Sequence, residues 1–198
     1  NIYTTGSFSG PADFDPSADT VILRCLGDSY YDMFVQKLDT NGNLLWVKHI
    51  AGYRTEKGKS ITTDINGYPY ILGDFSSTVD FNPSMDTFNL TASAGGDLFI
   101  LKLDTNGDLL WVNQIGAPGG KTGNSIITDS SRNIYTTGYF NGTMDFDPGA
   151  GISNLTSPGW GDAYIQKLDS NGYFLWANQI GGFQSNEGKS IQVNTKGD

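Results

Sequence analysis

The residues best suited to chemistry are paired carboxylates. Asp13-Phe14-Asp15-Pro16 recurs as Asp80-Phe81-Asn82-Pro83 and as Asp145-Phe146-Asp147-Pro148. Acids at i and i+2 suit a hard cation or an acid–base pair of the glycosidase kind. Calcium, however, takes six or more oxygens, so other loops would have to contribute, and Asn82 removes one acid. The competing reading is structural: aspartate accepts turn N–H groups, proline stops a strand, and phenylalanine plugs the loop onto the core. The turn reading is preferred here, with weak calcium binding left open. A second acidic motif, Asp-x-Asn-Gly, begins at Asp39, Asp104 and Asp169. It lacks the ligand ladder and closing glutamate of a calcium loop, so these aspartates are assigned to Asx-type turns. Gly58-Lys59-Ser60 lacks the upstream glycine and the following helix of a phosphate loop, and one copy reads Gly123-Asn124-Ser125. His49 is the only histidine and shares its column with Gln114 and Gln179, so it reads as an ordinary strand residue. With no nucleophile–base pair, the chain is expected to be non-catalytic and to need no cofactor or metal. An enzyme working through carboxylates alone is the remote alternative.

The elements that carry these residues repeat. LDTNGNLLW ends at Trp46, LDTNGDLLW at Trp111 and LDSNGYFLW at Trp176, so the period is 65 residues. A fixed period of this length denotes an array of one supersecondary unit. Asn-Gly between two apolar runs predicts a hairpin with a type I′ turn. Four strands are expected per period: a (Ser60 to Asp64), b (Pro69 to Phe75), c (Leu98 to Leu103) and d (Leu109 to Ile115). A last strand a is expected at Ser190 to Asn194.

Strand c is apolar on both faces. Phe34, Phe99, Tyr164, Leu38, Leu103 and Leu168 lie on one, and Val35, Ile100 and Ile165 on the other. A sheet buried on both faces must lie between other sheets. Sheets repeated in that way form a β-propeller, with the tryptophans as wedges between blades. Trp46, Trp111 and Trp176 are therefore expected to be buried, and Trp160 at least partly exposed. The glycine column 6, 73 and 138 should admit a second backbone or a ring at close range.

Composition agrees. Of 21 acids only Glu56 and Glu187 are glutamates, and aspartate prefers turns. No window carries helical apolar spacing. The expected fold class is all-β, a propeller segment. It forms a single unit over 1–198 with repeats 1–67, 68–132 and 133–198. Two complete blades span about 51–115 and 116–180, and 1–50 and 181–198 supply parts of split blades. A net charge of −9 argues against nucleic acid as a partner. No apolar run is long enough for a spanning helix, so no membrane insertion is expected. Cys25 is alone and forms no intrachain disulfide.

The pattern Gly-x-Ile-Tyr-x-x-Gly-x-Phe, then Asp-x-Phe-x-x-Lys-Leu-Asp-x-Asn-Gly-x-x-x-Trp, resembles the SBBP-type β-propeller repeats of bacterial secreted and surface proteins. The resemblance runs three times over the chain. It implies a propeller fold, no shared catalytic residues, and an extracellular or cell-surface location. The 65-residue period exceeds a plain repeat of that family, and the excess lies between Asp-Phe-Asp-Pro and strand c.

Function is expected to be that of a scaffold or binding module for a protein, with a lectin-like module for a cell-surface glycan as the alternative. Column 30, 95, 160 holds Tyr30, Gly95 and Trp160, so the candidate ligand-binding residues are Tyr30, Tyr31 and Trp160. Strand a at one end and strand b at the other are complementary. Two chains are expected to pair into a six-blade ring, or the chain to belong to a larger assembly or a longer chain.

Overall fold

The computed structural model describes residues 1–26, 30–84, 86–116 and 118–194. In chain order the first blade-length segment forms β1 (Ile2–Phe8), β2 (Pro11–Asp13), β3 (Ile22–Arg24), β4 (Asp32–Leu38) and β5 (Leu44–Gly52). The second forms β6 (Glu56–Thr63), β7 (Pro69–Phe75), β8 (Thr78–Asp80), β9 (Asn89–Thr91), β10 (Asp97–Leu103) and β11 (Leu109–Ile115). The third forms β12 (Lys121–Thr128), β13 (Ile134–Phe140), β14 (Thr143–Asp145), β15 (Asn154–Thr156), β16 (Asp162–Leu168) and β17 (Phe174–Ile180). Among the described residues there is no helix, and so none long and apolar enough to cross a membrane.

Two four-stranded antiparallel sheets run β6-β7-β10-β11 and β12-β13-β16-β17, and a third contains β1-β4-β5. The middle sheet lies between the other two. One of its faces sends Ile71, Phe99 and Leu101 into a core shared with Met33, Val35 and Ile50 of the first sheet. The other sends Leu72, Leu98 and Ile100 into a core shared with Ile126, Ile134 and Phe140 of the third. Every residue of β10 is buried, as its apolar pattern on both faces predicts.

The Asp-Phe-Asp-Pro segments are turns. Asp13 Oδ1 accepts from Asp15 N and Val21 N at 3.0 and 2.9 Å, and Asp80 and Asp145 repeat the arrangement. Phe14, Phe81 and Phe146 are buried against Phe8, Phe75 and Phe140, with ring centres 5.1 to 5.2 Å apart. Each motif closes the first strand of a short ribbon, β2–β3, β8–β9 or β14–β15, that the four-strand reading does not contain. In the middle repeat the ribbon pairs with the end of β5, which explains why β5 runs on to Gly52.

Three further expectations are corrected. The Asn-Gly turns are not type I′, because glycine alone has positive φ, as at Gly42 (88°). Gly42 N donates to Asp39 O, and Asp39 N to Asn43 O, giving a type I turn followed by a left-handed glycine. Strand a begins earlier than read, at Glu56 and Lys121, with a bulge at Lys59 and Asn124. Finally, residues 190–194 form no strand, because no strand b stands beside them. They follow β12 instead: Ile191 N donates to Ser125 Oγ, just as Ile126 N of β12 donates to Ser60 Oγ of β6.

The tryptophans wedge between sheets but are not fully buried. Trp46 Nε1 donates to Thr105 O in the next repeat's Asp-x-Asn-Gly turn at 3.1 Å, and Trp111 lies against Gly172 of the turn after that. Trp176 has no following turn among the described residues and is 38% exposed. Truncating Trp111 to Ala is expected to cost about 2–4 kcal/mol, and Trp176 to Ala about 1 kcal/mol, since only the first loses a packed neighbour sheet. Urea unfolding of the two variants checks the difference.

Candidate functional site

A bridging device repeats beside each tryptophan. Tyr3, Tyr70 and Tyr135 meet Trp46, Trp111 and Trp176 edge to face, with ring centres 6.0 to 6.3 Å apart. The lysine of Lys-Leu-Asp lies over the same tyrosines: Lys37, Lys102 and Lys167 Nζ are 5.3, 4.8 and 5.0 Å from the ring centres. Lys37 Nζ donates to Thr105 O at 2.8 Å and Lys102 Nζ to Ser170 O at 2.9 Å. Burial pushes the Lys102 ammonium below its ordinary pKa, against the opposing charge of Asp64. The repeated Tyr, Lys and Trp thus join one sheet to the next, and their chemistry is consumed in that role.

The opposite end of each sheet, where strand b finishes and strand c starts, carries a polar cluster that the sequence reading left without a role. Asp32, Asp97 and Asp162 are buried at the start of β4, β10 and β16. Each meets the strand-d side chain of the histidine column. His49 Nε2 is 2.6 Å from Asp32 Oδ2, and Gln114 and Gln179 Nε2 donate to Asp97 and Asp162 at 2.6 and 3.2 Å. His49 therefore holds a structural place that glutamine fills elsewhere. Cys25 Sγ donates to Asp32 Oδ1 at 3.2 Å. The column completing the cluster differs between repeats: Glu56, Lys121 and Asn186. Lys121 Nζ lies 3.4 Å from Asp97 Oδ1. Burial pushes the Asp97 carboxyl up, but hydrogen bonds from Ser93 and Gln114 and the Lys121 charge hold it below the ordinary carboxylate range. Among the described residues Glu56 has no such cation. Burial, and after it the charge of Asp32, raise its carboxyl to about 8 against a hydrogen bond from Gly52 N, and its Oε1 has no partner. An Asp at the head of every strand c, flanked by two variable columns, was the signal available in the sequence.

The three candidate binding residues are not brought together. Tyr30 and Tyr31, 40% and 45% exposed, stand beside the first sheet, where Lys57 Nζ lies 5.6 Å from the Tyr31 ring centre. The variable segment's residues 27–29 lie outside the described residues. Trp160 is 73% exposed on the third repeat, with its carbonyl accepting from Tyr139 Oη and Asn141 Nδ2. Sequence reasoning missed its neighbour. A side chain at Gly159 would run into the Phe183 backbone, so the Trp160 loop rests on a position whose ring is 77% exposed. Among the described residues no three His, Cys, Asp or Glu side chains converge as metal ligands.

The comparisons agree with this architecture. The family described as Beta-propeller repeat matches residues 110–143, which run from β11 through β12 and β13. The chain is similar to an uncharacterized WD repeat-containing protein of Acanthamoeba polyphaga mimivirus, 25% identical over 91% of this chain and 15% of that protein. It is also similar to the regulatory protein FlaEY of Caulobacter vibrioides, 24% identical over 79% of this chain and 16% of that protein. The chain therefore spans less than a fifth of either relative. An all-β array of antiparallel sheets carrying a propeller repeat is the class that fold and comparison define.

Proposed function

We propose that this chain is a non-catalytic propeller section, with two complete blades and part of a third, that serves as a protein-interaction scaffold. The observation that carries the reading is the aromatic surface at the b–c end of the third sheet. Trp160 and Phe183 stand on adjoining loops with about three quarters of each side chain open to solvent. Exposed aromatics grouped on rigid loops are the usual anchors of protein docking. The similarity to a WD repeat-containing protein supports the same class of role. The resemblance in the repeats supports display outside a bacterial cell.

The scaffold also accounts for the open side of β1. Among the described residues its sheet has a partner for strand b in β4 and none in the place of strand a. Residues 187–194 lie against β13 through Gly188 N to Gly138 O and against β12 through Ile191 N to Ser125 Oγ, and have the composition of strand a. Such a segment from a second copy or a neighbouring repeat completes the sheet, and two copies close six blades.

A photo-crosslinking residue at 160 or 183 in the host cell is expected to give one adduct with a partner protein. The same residue at exposed Tyr173, in the c–d turn at the far end, is expected to give none. The isolated chain should sediment at about twice 21.4 kDa. Adducts equal at all three positions, or absent from all, overturn the docking surface. A folded monomer overturns the pairing.

A further inference from the structure

We infer that the cavity at the b–c end of the second sheet is a binding site for one neutral pyranose unit of a glycan. It encloses about 320 Å³, at the small end of ligand sites. Phe75, Gly95 and Gly96 line it together with four charged residues, Lys59, Asp74, Asp97 and Lys121.

The third repeat indicates what fits there. Asp74 stands in the column of Tyr139, Gly95 in that of Trp160, and Gly96 in that of Gly161. In the third repeat the phenol ring of Tyr139 fills the corresponding space. It lies so close over Gly161 that a Cβ there would overlap it, it reaches to within 3.6 Å of a Cβ at Gly120, and its hydroxyl donates to Trp160 O at 2.7 Å. The second repeat replaces that ring with a short carboxylate. The outcome is a space of about that ring's size, lined by Gly95 and Gly96 where the third sheet has Trp160 and Gly161.

The lining decides which ring. Lys59 Nζ and Asp74 Oδ1 are 3.2 Å apart and partly exposed at the rim, and Lys121 and Asp97 form a second pair in the buried wall. An aromatic guest would strip water from the rim pair and return at most the single hydrogen bond of a phenol hydroxyl. A pyranose carries hydroxyls around its edge that donate to Asp74 and accept from Lys59. Two acids balance two ammonium groups, so the site has no net preference for a charged sugar. This site is separate from the Trp160–Phe183 surface and does not depend on it.

The test is an amide-shift titration of the full chain with the methyl glycosides of glucose, galactose and mannose, and with p-cresol as the aromatic probe. At least one glycoside is expected to shift the Gly95 and Gly96 amides, with a dissociation constant on the order of millimolar. Asp74→Tyr refills the space as Tyr139 does and should weaken that binding at least about tenfold while leaving the melting curve in place. Lys59→Asn, the residue at the matching position of the third sheet, should weaken it by less. Shifts from p-cresol alone, no shift from any glycoside, or unchanged binding in a folded Asp74→Tyr variant would overturn the inference.

Discussion

Gly73→Ala is expected to abolish cooperative folding of the middle sheet, or to cost about 4 kcal/mol or more where a folded fraction survives. A Cβ at 73 would overlap the carbonyl oxygen of Lys57 and stand 2.5 Å from Phe99 Cζ. Neither neighbour can give way. Lys57 belongs to β6, paired with β7 on one side of the glycine, and the Phe99 ring is fully buried against Phe75 and Phe81. The bulge between Gly58 and Ser60 falls at this point, so the β6 backbone is already bent toward β7. Gly182 has nothing within 4 Å of a built Cβ and left no positive φ, so Gly182→Ala should change stability by less than about 0.5 kcal/mol. Thermal melts of the two variants by circular dichroism check the contrast. Equal melting temperatures would mean that the β6–β7 contact is not as close as described.

The glycine column was legible because it sits in a strand in all three repeats, where glycine has no local use. The same logic reached the plugging phenylalanines, the Asx turns and strands b and d, all of which depend on contacts within one repeat. What escaped the sequence depends on contacts between repeats, or on local hydrogen bonds and short pairings that periodicity does not report. The turns were assigned two positive-φ residues because Asn-Gly permits them, but Asp39 and its counterparts accept two N–H groups each and draw the loop into a three-residue form. The tryptophans were expected to be buried, but each is covered only as far as the next repeat's turn reaches. Trp176 shows the residue without that turn. The ribbon strands are three residues long, too short for periodicity to separate them from loop. Trp160 was legible as an exposed loop aromatic, whereas its neighbour Phe183 was not, because sequence distance hid the contact at Gly159.

The Asp column at the head of strand c leads to the other large effect. Asp97 and Asp162 have neutral or cationic company, namely Gln114 with Lys121 and Gln179 with the Gly182 amide. Asp32 has His49, the Cys25 thiol and the Leu26 amide, and faces a second buried carboxyl, Glu56. Two carboxylates in one buried space do not both ionise at low cost. Glu56, whose carboxyl burial raises to about 8, is therefore the group that keeps its proton.

Stability should then fall with rising pH, in a window set by Glu56. Its ordinary value is 4.5 and its folded value about 8, so the folded state holds a proton that the unfolded chain releases. The contribution is fully present below about pH 4.5. It is lost at up to about 1.4 kcal/mol per pH unit between 4.5 and 8, and is constant above that. The wild-type chain is expected to lose about 3–5 kcal/mol across that interval from this group alone. Glu56→Gln keeps the shape without the proton and should remove that part of the slope, leaving the variant the more stable protein at pH 8.5. Glu56→Lys places an ammonium opposite Asp32, as Lys121 stands opposite Asp97, and should give the same flat profile with added stability at neutral pH. Urea unfolding of the three proteins at half-unit steps from pH 5 to 9 measures the slopes directly. Parallel profiles for wild type and Glu56→Gln would show that Glu56 is already ionised in the folded protein, and that the first junction tolerates two charges where the second uses an ion pair.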